Sequence, residues 1–142
     1  MPRKLTENEV VSKLADFLIN EGWDVIGKSL GFEKGYDLLI TKEGKTLAVE
    51  AKGATANKEA YNKVRAYFDG GQIKTHFGKA LLKVLEIKTE NPAWLVAIAQ
   101  PDDDLVRKHT EMFLPYLKQI GIIHFWVGEV GVVSEIPAIE HI

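Results

Sequence analysis

The chain has no cysteine. That excludes a disulfide framework and any thiolate metal site. No stretch approaches the roughly 18 apolar residues that span a bilayer, so no membrane partner is expected. The opening Met-Pro-Arg-Lys-Leu-Thr has no apolar signal core behind its positive charges. These absences together suit a cytoplasmic, intracellular protein. Histidine is sparse: His76, His109, His124 and His141 are scattered, with no H-x-x-x-H pair, and zinc is not expected. His124, before Phe125-Trp126, reads as a satisfied or surface histidine. None of Ser12, Ser29 and Ser134 sits in a nucleophile elbow.

One motif matches in letters and fails in context. Gly22-Trp23-Asp24-Val25-Ile26-Gly27-Lys28-Ser29 fits the phosphate-loop pattern G-x-x-x-x-G-K-[ST]. Such a loop follows a buried strand and opens a helix whose N-terminus meets the phosphates. Here a helix precedes it, Gly31 and Gly35 follow, and Trp-Asp-Val-Ile reads as strand.

At 142 residues, 46% hydrophobic and 27% charged, the chain is expected to be one globular domain over 1–142. Such a domain buries about two-thirds of the surface its unfolded chain exposes. Net charge is −2, but it is unevenly spread. Residues 1–51 carry 7 Lys/Arg and 9 Asp/Glu, residues 52–88 carry 8 and 3, and residues 89–142 carry 3 and 8. The basic block begins at Lys52. A positive surface of this kind can hold a phosphate backbone, or can be only a solvated helix face.

The stretch that leads into that block runs from Gly35 to Gly53. It reads as two short strands around a tight turn at Glu43-Gly44. If Lys42 pairs with Lys45, then Ile40 faces Leu47 and Leu38 faces Val49. Four aliphatic side chains share one face. The same register sets Asp37 opposite Glu50, with Lys52 two residues further on. Directly opposed like charges on neighbouring strands are unfavourable. A divalent cation between the carboxylates would supply a reason for them. Mg²⁺ binds through one or two carboxylates and completes its shell with waters and phosphate oxygens. The Ala51 carbonyl is a further candidate ligand. Metal lowers the pKa of a bound water. Lys52 can orient or deprotonate that water, or neutralise charge in the transition state.

The remaining elements follow from punctuation and periodicity. Thr6 and Glu9 form a capping box, with Leu5 and Val10 as its staple. Val10, Leu14, Phe17 and Leu18 make an apolar stripe to about Glu21, with Gly22 as the stop. Glu7 projects from that buried face and needs a partner, or it is only a first-turn acid near the helix dipole. Trp23–Ile26 is a predicted strand. Lys28 and Lys34 look exposed in the glycine-spaced loop 27–35. Residues 57–67 read as a loop or short helix before Asp69-Gly70-Gly71. A helix is predicted over 72–87, with Gln72, His76, Lys79 and Lys83 on one polar flank. Residues 94–99 are a predicted central strand, Gln100-Pro101-Asp102 a turn with a cap, and 102–120 a helix bent by Pro115. Residues 122–127 and 130–136 are predicted strands around Gly128-Glu129. The sum is an α/β sandwich on a mixed sheet.

Gly35-Tyr36-Asp37, twelve residues, then Glu50-Ala51-Lys52 on a strand resembles the PD-(D/E)xK nuclease superfamily. This is the restriction-endonuclease-like fold, shared with Holliday-junction resolvases and Mrr-type enzymes. Tyr36 stands where the motif has proline. The resemblance implies an α-β-β-β-α-β core, a mixed central sheet flanked by helices, here with an extra C-terminal helix and strands. It also implies metal ligands Asp37 and Glu50, catalytic Lys52, a first-helix acid matched by Glu7, and a helical glutamine matched by Gln72. The implied activity is that of a Mg²⁺-dependent deoxyribonuclease, expected to act as an endonuclease, with Mn²⁺ able to substitute. Lys58, Lys63, Arg65, Lys74, Lys79 and Lys83 are candidate phosphate contacts, with Tyr61 and Tyr67 as stacking or packing residues. A homodimer or partner subunit would supply the second cut, with Phe125-Trp126 and the terminal strands as interface or as core. The alternative is a non-catalytic DNA-binding or assembly module on the same fold.

Overall fold

The structure, a computed structural model, describes residues 4–28, 36–55 and 67–136. Among the described residues, eleven elements follow in order. They are α1 (Glu7–Asn20), β1 (Asp24–Lys28), β2 (Leu38–Lys42), β3 (Lys45–Ala51), α2 (Gly70–Glu90) and β4 (Leu95–Pro101). After these come α3 (Asp104–Thr110), a 3₁₀ turn (Glu111–Phe113), α4 (Leu114–Gln119), β5 (Ile122–Gly128) and β6 (Gly131–Ile136). The strands form one mixed sheet in the order β1-β2-β3-β4-β5-β6. Pairs β3–β4 and β4–β5 are parallel, and the other three are antiparallel. The mixed α/β architecture expected from the sequence is therefore present.

The hairpin register is the predicted one: Leu38 faces Val49, Ile40 faces Leu47 and Lys42 faces Lys45. Glu43 and Gly44 both have positive φ, at 51° and 79°. Two left-handed residues match the twist of a two-residue hairpin turn. Leu38, Ile40, Leu47 and Val49 are fully buried against Val10, Leu14 and Leu18 of α1. Ala48 points to the opposite face, where Ile73, Phe77, Ala80 and Val84 of α2 cover it together with Val106, Leu114 and Leu117. Each large aliphatic side chain so buried stabilises the fold by about 1.5–3 kcal/mol. The sheet is thus a central layer, with α1 on one side and α2 to α4 on the other.

The Thr6–Glu9 capping box is formed in both directions, at 2.9 and 3.1 Å. Four expectations are corrected. The predicted 72–87 helix begins at Gly70 and reaches Glu90, because Asp69 caps it. Two glycines are tolerated in a first turn that Asp69 fixes. Gln100 and Pro101 belong to β4 rather than to a turn; Pro101 sits opposite Val127 near the end of the sheet. The continuous 102–120 helix is three pieces, capped by Asp103 and restarted at Leu114-Pro115, where proline suits a first turn. The last hairpin turns at Glu129-Val130, because Gly128 pairs with Gly131.

Candidate active site

Asp37 immediately precedes β2 and Glu50 lies near the end of β3. With Leu38 opposite Val49, the two carboxylates stand against each other on the face that α2 covers. Asp37 Oδ2 accepts the Ala51 N–H at 2.8 Å. That bond extends the ladder and fixes one Asp37 oxygen. In an extended strand the N–H and C=O of one residue point to the same edge, so the Ala51 carbonyl opens toward Asp37. The Lys52 N–H turns the other way and donates to the Ala99 carbonyl at 3.0 Å. The Lys52 side chain shares the Glu50 face, two residues on.

Glu7 joins this group from α1. The chain after Lys52 crosses the start of that helix at Gly53. A Cβ on Gly53 would lie 2.5 Å from the Glu7 nitrogen and 2.8 Å from the Thr6 carbonyl carbon. The Ala54 N–H donates to the Leu5 carbonyl at 2.8 Å, and Thr6 bridges Thr55. A missing side chain therefore lets the Lys52 strand end lie against the α1 N-terminus.

Electrostatics bind the group together. Burial first, then the Asp37 charge and hydrogen bond, push the Glu50 carboxyl up to about 8. Burial and then Asp37 push Glu7 up to about 7, against the pull of Lys52. Burial raises Asp37 too, opposed by the Ala51 N–H, a hydrogen bond from Glu50, and the charges of Lys52 and Lys83. Glu50 Oε1 is buried without a hydrogen-bond partner. An ionised oxygen in that position is costly unless a proton or a cation serves it. A divalent cation between Asp37 and Glu50 fits this donor set. Among the described residues, no three His, Cys, Asp or Glu side chains form a ready metal cage. Two carboxylates and a carbonyl suit an ion that retains waters and takes substrate oxygens.

These raised values fix a pH dependence. The folded, metal-free protein holds protons that the unfolded chain has lost, on Glu7 from pH 4.5 to about 7 and on Glu50 from pH 4.5 to about 8. Their contribution to stability is complete below about pH 4.5 and is lost as pH rises through 7 and 8. We expect the melting temperature in chelator to decline across that window more than in a Glu7→Gln/Glu50→Gln double variant. Parallel pH curves for the two proteins would contradict the assignment.

Other candidates separate. Gln72 is the third residue of the α2 capping box; its Oε1 accepts the Asp69 N–H at 2.9 Å. Lys83 reaches both site carboxylates electrostatically. That electrostatic reach was not visible in sequence, where Lys83 stood among the candidate phosphate contacts. Lys79 is exposed on the same flank of α2, and Lys74 is exposed elsewhere on that helix. Tyr67 is exposed, with the Lys4 ammonium 5.8 Å above its ring centre. Lys58, Tyr61, Lys63, Arg65 and Lys34 lie outside the described residues. Lys28 is exposed on the edge strand β1, so Gly22–Lys28 forms no phosphate cradle. Phe125 and Trp126 are buried in the core, so these two side chains are core rather than interface.

His124 is buried rather than at the surface. Its Nε2 is 2.8 Å from Gln100 Oε1, which Thr110 also approaches at 3.2 Å. Nδ1 has no partner. Burial and then Arg107 hold this imidazole down to about 3.

A hairpin carrying two opposed carboxylates on a six-stranded mixed sheet defines the fold and the centre. Two solved structures share that fold over nearly the whole chain. One is an XisH family protein from Nostoc punctiforme, with TM-score 0.54 and 14% identity over 89% of this chain and 97% of that one. The other is an fdxN element excision controlling factor protein from Anabaena variabilis, with TM-score 0.52 and 19% identity over 92% of this chain and 97% of that one. No protein-family model and no curated protein matches the sequence. Among the described residues, no helix is long and apolar enough to cross a membrane.

Proposed function

We propose that this chain is a metal-dependent nuclease that hydrolyses DNA phosphodiester bonds. The observation that carries the proposal is the Asp37–Glu50 pair, opposed across β2 and β3, with a buried unpartnered Glu50 oxygen and Lys52 beside it. The resemblance of Asp37, Glu50-Ala51-Lys52 and Glu7 to the PD-(D/E)xK pattern supports it. Mg²⁺ or Mn²⁺ bound by Asp37, Glu50 and the Ala51 carbonyl would supply an activated water at neutral pH.

The chain's own residues do the rest. The Ala51 N–H holds Asp37 in one orientation, so its second oxygen is presented without a reorganisation cost. Lys52, beside the pair, would neutralise the charge that grows on a bound phosphate. Glu7 borders the group and can take or orient a proton near pH 7. Lys74 and Lys79 would hold the backbone, positioning it without reading sequence. One site per chain favours a homodimer or partner subunit for a double-strand cut.

These structural neighbours, one of them named an fdxN element excision controlling factor protein, support a DNA-related role. They also favour one rival: a DNA-binding or assembly module that controls another enzyme. Supercoiled plasmid and branched DNA, incubated with Mg²⁺ or Mn²⁺, separate the two readings. We expect nicking or linearisation by the wild type and none by Glu50→Ala. Equal cleavage by both proteins would place the chemistry elsewhere. DNA binding without cleavage under either ion would establish the module.

A further inference from the structure

Lys83 is more than thirty residues from the hairpin in sequence, yet Asp37 and Glu50 both feel its charge. The geometry of α2 explains how. Ala80, Val84 and Ile87 are buried in one cluster with Ala48 and Ile98, and Ile98 pairs with Glu50. At 100° per residue, Gln72, His76, Lys79 and Lys83 form one flank of that buried stripe, and Leu81 and Leu85 lie on the other. The Leu81 flank meets Phe113, Tyr116 and Leu117 at an apolar groove. The Lys83 flank therefore faces the hairpin. Tyr36, the residue before Asp37, packs into the same cluster as the α2 core and meets the Trp94 ring edge-on at 5.5 Å.

Lys83 is also half-buried. A lysine on a helix flank ordinarily extends into water, and ordering its stem costs side-chain entropy. Lys52 approaches the carboxylates from the end of β3 and Lys83 from α2, so two lysines from different layers bracket one acidic pair.

We propose that Lys83 is a second cation of the site. Its ammonium neutralises the Asp37–Glu50 pair while no divalent ion is bound, and turns to the scissile phosphate when one is. The second half rests on the nuclease reading; the first half does not. A divalent ion and an ammonium compete for the same two carboxylates, because like charges a few ångströms apart repel strongly in a partly buried setting. Metal affinity thus reports on Lys83 without any cleavage.

The test is calorimetric titration of Mn²⁺ into DNA-free protein at pH 8.5. Lys83→Met should bind Mn²⁺ roughly tenfold more tightly than the wild type, while its metal-free form melts at a lower temperature. Lys118→Met, on the far end of α4, should match the wild type in both. Single-turnover cleavage at saturating Mn²⁺ should fall by about 30–100-fold in Lys83→Met and recover partly in Lys83→Arg. Unchanged Mn²⁺ affinity in Lys83→Met overturns the proposal, even if that variant is less stable, because a purely structural lysine would show that pattern. Tighter Mn²⁺ binding with no DNA cleaved by any form keeps the first half and removes the nuclease reading. Equal Mn²⁺ binding by Glu50→Ala and the wild type removes both.

Discussion

Glu50→Gln should abolish DNA cleavage and raise the melting temperature of the metal-free protein at pH 8. The two effects have one cause. Glu50 is buried, with one oxygen unpartnered, and its carboxyl is pushed up to about 8 by burial and by Asp37. Glutamine keeps the shape and can donate to Asp37 as a protonated glutamate does. It removes the charge that burial penalises. The stability gain should be on the order of 1–2 kcal/mol, or about 3–8 °C for a chain of this size. On the proposed nuclease reading the activity loss should be at least about 10³-fold, since a proposed metal ligand is gone. Thermal melts in chelator and plasmid cleavage in Mg²⁺ check both arms. A variant that is both less stable and fully active would reverse the roles assigned to Glu50.

Among the described glycines, Gly53→Ala should be the most damaging alanine substitution. The added carbon would meet the Glu7 nitrogen at 2.5 Å, the Thr6 carbonyl carbon at 2.8 Å and the Leu5 carbonyl oxygen at 3.1 Å. All three are backbone atoms, so no side chain can swing aside. Relief requires the α1 N-terminus to move, together with its capping box and Glu7. We expect a loss of about 3 kcal/mol or more, seen as a lower denaturation midpoint. Gly78→Ala provides the contrast. Its site is mid-helix, with nothing within 4 Å of the new carbon, and should gain about 0.5–1 kcal/mol. If the two alanines shift the midpoint alike, the crossing at Gly53 is not close.

The hairpin was legible in the sequence because two independent signals agreed. Glu-Gly fixes a two-residue turn, and the alternation of Leu38, Ile40, Leu47 and Val49 fixes which face is buried. Together they place Asp37 opposite Glu50 with no freedom left. The capping box at Thr6 was equally local. The misses involve contacts between distant segments. Gly70-Gly71 reads as loop unless Asp69 is recognised as a cap, and the same cap occupies Gln72. Pro101 reads as a turn residue, but a strand end next to β5 tolerates it. Gly53 left only a faint trace, a glycine directly after the E-x-K triplet. Lys83 left none, because helical periodicity gives its flank but not what that flank faces.

The sheet supplies Asp37, Glu50 and Lys52, while Glu7 comes from the layer beneath it and Lys83 from the layer above. The hairpin can form early from local contacts, but on its own it is only a pair of solvated acids with ordinary affinity for protons. Their unusual character arises when both helices dock and exclude water. Whatever chemistry the centre performs is therefore withheld from nascent or partly assembled chains, and competence is switched on in the same step that completes the tertiary structure.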